Sequence, residues 1–257
     1  MQVNMERFFN RYELSCTASD LQFLSRVAKA YSNLPYENVT KILKSASTSV
    51  SDQKLRLTGE VLTDHLTWNT GGTCFSLCNA LQEILTSCGF NAFIAMADMH
   101  YGANIHCAIV VTAAGHRYLL DPGYLLHEPI FLPPVHISHK TVMNTIVLQN
   151  EGKENYSLFT EENGIQRWRY RLRAHPVSRA EFEKHWIHSF SLNSMEAVML
   201  TRMNESGRLY YRKDRLELVE PKRRTSQKIT TAGIGTLSSM FGVPSDLIRQ
   251  AQKSVSS

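Results

Sequence analysis

Thr70-Gly71-Gly72-Thr73-Cys74-Phe75-Ser76-Leu77-Cys78 reads as a polar, glycine-bearing turn that delivers Cys74 into the first turn of an apolar helix. The helix is expected to run to about Cys88. Leu77, Cys78, Leu81, Ile84, Leu85 and Cys88 share one side, and Gly89 supplies the stop. Unpaired backbone N–H groups and the positive end of the helix dipole gather at such a start, and both favour a thiolate over a thiol. Burial of the apolar stripe would fix Cys74 on a rigid element, as a reactive group requires. A cysteine nucleophile also needs a base, and the base needs an orienting group.

Downstream the pattern changes to strands. Residues 90–96, 105–112 and 117–121 alternate as β-strands, with Ala113-Ala114-Gly115-His116 as a connecting turn. With the turn centred between Ala114 and Gly115, antiparallel pairing sets His106 opposite roughly residue 123, so Asp121 falls within about two places of His106. The order Cys74, His106, Asp121 follows the logic of papain-like cysteine enzymes. His106 would hold the thiolate as an ion pair, and Asp121 would fix the imidazole tautomer. Taken singly, each has a plainer reading: core packing for the cysteine and histidine, turn initiation for Asp121 before Pro122-Gly123. Their joint occurrence in workable geometry favours the triad.

The rest divides by pattern. Residues 4–70 read as helical: Met5, Phe8, Phe9 and Tyr12 form a short amphipathic turn. Ser19 or Asp20 caps a run of Leu21, Leu24, Val27, Ala28 and Tyr31, and further runs hold Ile42 and Leu43, then Leu55, Leu57, Val61, Leu62 and Leu66. Residues 144–149, 156–160 and 166–173 continue as strands. Ser178 caps a helix through Phe190, with Glu181 completing a capping box. The tail reads as a strand at 197–203, a hairpin around 209–218 and a helix near 245–253.

At 257 residues, with 43% hydrophobic and 20% charged, the chain has the composition of a soluble globular protein able to bury a substantial core. The net charge of +5 favours anionic small molecules and does not imply nucleic acid. Arg167, Arg169, Arg171 and Arg173 alternate, as one solvated strand face would. Arg212, Lys213, Lys222, Arg223 and Arg224 read as a solvated loop that is also compatible with the phosphates of a donor. Five cysteines, an odd number, show no disulfide framework, and Cys16, Cys78 and Cys88 read as core packing. The first residues lack the apolar core of a signal peptide, and no window approaches the ~18 apolar residues of a membrane span. The expected setting is cytoplasmic, with reduced thiols.

A metal site drawn from Cys74, Cys78, His106 and Cys107 is disfavoured. Adjacent strand residues point to opposite faces, and the clustered spacings of structural zinc sites are absent. No metal is expected. Phosphate-loop, dinucleotide and zinc-protease motifs are also missing.

Four pieces, in order, resemble the arylamine N-acetyltransferase family. Leu34-Pro35-Tyr36-Glu37-Asn38 resembles its Pro-Phe-Glu-Asn segment, and Gly71-Gly72-Thr73-Cys74 resembles Arg-Gly-Gly-x-Cys. His106 heads a strand, and Leu119-Leu120-Asp121-Pro122-Gly123-Tyr124 resembles Leu-x-Asp-Val-Gly-Phe. The match spans about residues 5–135. It implies an α+β fold with a papain-like core: a helical bundle over 1–89 bearing the nucleophile helix, a β-barrel over 90–190 with the His/Asp strands and a following helix, and an α/β lid over 191–257. It also implies ping-pong transfer of an acetyl group from acetyl-CoA, as co-substrate, through a Cys74 thioester to the nitrogen of an arylamine or arylhydrazine. His106 would manage the protons, and backbone N–H groups of Cys74 and of residues 101–103 would face the oxyanion. Residues binding the CoA moiety are unassigned.

Two departures bear on that reading. The family's arginine before Gly-Gly is Thr70 here, so Glu37 lacks its expected cation and should be exposed, protonated or paired otherwise. Asp121 is followed by Pro122-Gly123-Tyr124-Leu125, and loss of a second glycine at Leu125 is expected to narrow or reshape the loop. The same triad also suits an amide- or macrolactam-forming acyltransferase with a carrier-bound donor, or a transglutaminase-like or papain-like hydrolase. A non-catalytic binding protein is the remaining alternative. The expected partners are a CoA thioester and a small amine acceptor, with no nucleic acid and no membrane; oligomeric state is unassigned.

Overall fold

The structure, a computed structural model, describes residues 2–16, 19–126, 128–204, 207–221 and 223–256. Before the large sheet come α1 (Gln2–Arg11), α2 (Leu21–Tyr31), β1 (Tyr36–Glu37), α3 (Val39–Ser47), a 3-10 turn (Asp52–Lys54), α4 (Thr58–Trp68) and α5 (Cys74–Ser87). Asp20 caps α2, its carboxylate accepting from Phe23 N at 2.7 Å. α5 begins at Cys74, and Gly89 beyond its end takes φ +83°, the left-handed conformation that glycine adopts without a Cβ penalty.

The next strands are β2 (Asn91–Met99), β3 (Gly102–Ala113), β4 (His116–Leu120), β5 (Ile130–Phe131), β6 (His136–Lys140), β7 (Thr145–Gly152), β8 (Asn155–Glu162) and β9 (Ile165–Arg173). They form one antiparallel, barrel-like sheet in the order β5-β4-β3-β2-β9-β8-β7-β6. Strands β2 to β4 are buried on both faces. Met96, Cys107, Ile109, Val111 and Leu120 pack toward the helices, while Ala95, Ala97, Ala108, Val110 and Leu119 face the barrel interior. The four arginines of β9 do not share one solvated face. The register shifts between Trp168 and Tyr170, and Ile165 to Trp168 are all exposed. Only Arg171 alternates with buried Tyr170 and Leu172, while half-buried Arg169 and Arg173 bond to Thr160 Oγ1 at 2.7 Å and to Asp98 at 2.5 Å.

α5 is buried far more completely than a single stripe. It lies between the sheet and the other helices, and α6 (Arg179–His188) closes over it. The Phe75 ring stands 5.5 Å from Phe182 and 6.4 Å from Trp186. Each fully buried Leu, Ile or Phe contributes about 1.5–3 kcal/mol, so Leu77, Ile84 and Leu85, all fully buried, hold Cys74's helix firmly in place. Ser178 caps α6 by accepting from Glu181 N.

A second sheet follows, of β10 (Met199–Met203), β11 (Arg208–Arg212), β12 (Arg215–Glu220) and β13 (Arg223–Lys228), with α7 (Ile234–Phe241) and α8 (Ser245–Ser256) packed on it. Its order is β1-β10-β11-β12-β13, so a dipeptide from the helical half supplies one edge. Tyr36 pairs with Thr201 and Glu37 with Leu200, and Tyr36 also bridges in parallel to Gly72. Asn38 fastens the junction: its side chain donates to Ser194 O and Ala197 O and accepts from Met199 N, at 2.7–2.8 Å.

Two further expectations are corrected. Cys16 and Cys88 are not core thiols: a disulfide joins them, tying the segment after α1 to the end of α5. Their separation of 72 residues left no spacing signal to read. Arg212 ends β11 and Arg223 and Arg224 lie in β13, not in a loop, and Arg224 reaches Glu217 on β12 at 2.6 Å. Lys222, from the same basic set, lies outside the described residues. Among the described residues no helix is long and apolar enough to cross a membrane.

Candidate active site

The turn before Cys74 is held by side chains from α4 and from the connections that follow α1 and precede α4. Asn69 ends α4 at φ +52°. His65 Nδ1 lies 3.0 Å from Thr70 O, and its Nε2 lies 2.6 Å from the Tyr12 hydroxyl. Burial lowers the His65 pKa to about 4, so the ring is neutral at pH 7. With the proton on Nδ1 it donates to Thr70 and accepts from Tyr12, satisfying both nitrogens. Arg56, almost fully buried, donates from Nη1 to Gly71 O at 2.8 Å and pairs through Nη2 with Asp64 at 2.7 Å. A Cβ on Gly71 would stand 2.0 Å from Pro35 O, so this residue must be glycine for the backbones to approach.

Glu37, without the arginine expected of the resemblance, is 0% exposed. Its carboxylate accepts from Thr40 N at 2.9 Å and from Thr40 Oγ1 at 2.6 Å. It therefore sits at the start of α3, where free N–H groups and the helix dipole favour an anion. The pairing comes from a helix end and a hydroxyl, not from a cation.

Beyond Cys74, the hairpin pairs Ala113 with His116 and Ile109 with Leu120. Continuing this register sets His106 opposite Gly123. His106 Nε2 lies 2.7 Å from Asp121 Oδ2, with both side chains buried. The other carboxylate oxygen, Oδ1, accepts from Tyr124 N at 2.8 Å. The carboxylate thus orients the imidazole and also closes the loop that follows it. Leu126 N donates to Asp121 O at 3.0 Å, and Leu125 takes φ +59°. Leu125, where the resemblance leads one to expect glycine, is thus left-handed, and a leucine in that conformation costs about 1–2 kcal/mol.

Cys74 is 6% exposed and meets the His106 ring, whose Nδ1 is left free by the bond from Nε2 to Asp121. Gly123 passes directly over this pair: a Cβ there would stand 2.6 Å from Cys74 Cβ and 3.1 Å from His106 Cε1. The thiol's pKa is held well below its ordinary value by a hydrogen bond from the Cys107 thiol and by hydrogen bonding and charge from His106, against the opposing effect of burial. Burial alone would lower the pKa of His106, yet the Asp121 carboxylate, by charge and hydrogen bond, and Cys74 raise it well above the ordinary imidazole value. The two shifts run in the directions that favour a thiolate beside an imidazolium.

The structure brings together all three residues singled out from the sequence, and adds two. Cys107 faces the helices while His106 faces the barrel, as adjacent strand residues must, yet Cys74 lies over the strand where both reach it. Lys41 on α3 is 5% exposed, bonded to Ser189 O at 2.8 Å and Ser189 Oγ at 2.7 Å, with Phe190's ring 4.5 Å away. Burial lowers its pKa to about 8, opposed by the charge of Cys74. The only sequence signal for Lys41 was its place between Val39 and Ile42 on an apolar helical run. The Tyr170 ring packs on His106 at a centroid distance of 4.9 Å. Among the described residues no cluster of three His, Cys, Asp or Glu is arranged to hold a metal ion.

Residues 20–246 match the family model described as N-acetyltransferase. Among solved structures, a point variant of the Mycobacterium smegmatis arylamine N-acetyltransferase matches at TM-score 0.82 and 18% identity, covering 100% of both chains. The arylamine N-acetyltransferase of M. tuberculosis matches at 0.82 and 16%, covering 98% of this chain and 100% of that one. The M. marinum arylamine N-acetyltransferase in complex with CoA matches at 0.80 and 17%, covering 98% of each chain. At these identities the likeness establishes the fold. No match was found among curated proteins.

Proposed function

The chain belongs to the N-acetyltransferase family, and we propose that it carries an acetyl group from acetyl-CoA to the nitrogen of an arylamine or arylhydrazine through a thioester on Cys74. The observation that carries this reading is the line from Asp121 through His106 to a thiol at a helix start, with His106 Nε2 2.7 Å from Asp121 Oδ2.

In the first half-reaction the Cys74 thiolate attacks the acetyl carbonyl. His106, already an imidazolium, gives its proton to the departing CoA sulfur. In the second, the acceptor amine attacks the Cys74 thioester, His106 takes the amine proton, and the thiolate leaves. Asp121 keeps the ring in the orientation both steps need. Gly123 lets the loop lie against Cys74 and His106, where a Cβ would meet Cys74 Cβ at 2.6 Å and displace the pair.

A phosphate-bearing donor suits the surroundings. The charges of Arg169 and Arg208 reach Tyr124, and that of Arg212 reaches Tyr101, so the field near these two loops favours an anion. The amine acceptor is a small molecule. A reducing, cytoplasmic setting suits a chain whose Cys74, Cys78 and Cys107 are free thiols, although the Cys16–Cys88 bridge is more at home in an oxidising one.

Intact-mass measurement after incubation with acetyl-CoA tests the reading. A single acetyl adduct is expected on the wild type, absent from Cys74→Ala and discharged by adding an arylamine. An adduct that persists in Cys74→Ala, or none on a wild type whose Cys74 alkylates normally, would overturn it.

A further inference from the structure

Tyr36 lies beside the reactive sulfur through backbone geometry that the triad does not use. Glu37 N donates to Gly72 O at 3.0 Å, and Gly72 N donates to Pro35 O at 3.3 Å, so this dipeptide runs along the turn two residues before Cys74. The Tyr36 ring is half-buried against the cluster that contains Cys74, Cys78 and Cys107. Its hydroxyl finds no hydrogen-bond partner among the described residues, and it is not sealed away from solvent. Open to solvent and not committed to another side chain, it is available to a group that enters the site.

The surroundings locate the hydroxyl further. Burial holds the phenol well above its usual pKa, and the nearby Cys74, Tyr101, Cys107 and Asp121 push it the same way. The group is therefore a neutral O–H donor near the sulfur but not bonded to it.

We propose that Tyr36 is a further catalytic residue, whose phenolic O–H donates a hydrogen bond to the acyl carbonyl oxygen as Cys74 attacks. The proposal rests on Cys74 as the acyl-accepting nucleophile. In the step, the sulfur–carbon bond forms and the carbonyl π pair moves onto oxygen. Tyr36 keeps its proton and stabilises the oxyanion beside any backbone donors. On collapse the carbonyl reforms, and the leaving group departs with the proton from His106. A donor aimed at developing charge acts in the transition state more than in the ground state.

The test compares two reactions of the same sulfur. Acylation by p-nitrophenyl acetate passes through a tetrahedral oxyanion; alkylation by iodoacetamide does not. In Tyr36→Phe, acylation at Cys74 is expected to fall roughly a hundredfold, the order seen for loss of one oxyanion donor, with alkylation unchanged. Unchanged acylation would overturn the proposal. So would an equal fall in both reactions, which would assign Tyr36 to the thiolate or to the turn. The parent reading fails in a different way: the wild type would alkylate at Cys74 yet take no acetyl group there.

Discussion

Two glycine-bearing turns meet at Cys74, and they are held by opposite means. The turn before it is anchored by Arg56 on Gly71, His65 on Thr70 and Thr40 on the neighbouring Glu37, none of which carries a chemical step. The loop after Asp121 is anchored by Asp121 itself, which bonds Tyr124 N with one oxygen and His106 with the other. The first turn separates holding from chemistry, and the second combines them. Substitutions in the first should cost stability and leave chemistry in the folded fraction intact. Substitutions in the second should cost chemistry directly.

The largest separation is expected at Asp121→Asn. The amide cannot hold the imidazolium, so acetyl transfer should fall by roughly 10⁴-fold, as for the orienting aspartate of a serine protease triad, while thermal unfolding shifts far less. A large loss of stability with the rate retained would reverse the comparison. Arg56→Met leaves Asp64 and Gly71 O without their buried partner. Chemical denaturation should show a loss of about 3 kcal/mol, with acylation per folded molecule unchanged. Gly123→Ala places a methyl against Cys74 and His106, and a misplacement of this size costs about 10²-fold in rate. That is measurable as a fall in kcat with circular dichroism intact. Thr40→Val removes one bond from the buried Glu37 carboxylate and should cost about 1–2 kcal/mol, again by denaturation.

The legible parts were those set by local rules. The helix start at Cys74, its stop at Gly89 and the register joining His106 to Asp121 follow from a cap, a left-handed glycine and the arithmetic of one hairpin. The anchors of the first turn were not legible. Tyr12, Arg56 and His65 converge from separate segments, and nothing in their spacing marks them as neighbours. Likewise Arg223–Lys228 has no apolar alternation, because every residue of that strand is exposed. It therefore reads as loop until its register with β12 is seen. Glu37 was read correctly as a carboxylate needing a partner, but which partner depended on where α3 begins.

A thiolate at Cys74 paired with a His106 imidazolium leaves its mark on the pH dependence of alkylation by iodoacetamide. Because the Cys74 pKa is lowered and that of His106 raised, the thiolate fraction, and with it the rate, should rise well to the acid side of an ordinary thiol and hold across neutrality. Asp121→Asn, by lowering the His106 pKa, should move that rise toward alkaline pH. A rate that climbs only around the ordinary thiol pKa, identical in wild type and Asp121→Asn, would contradict the pair.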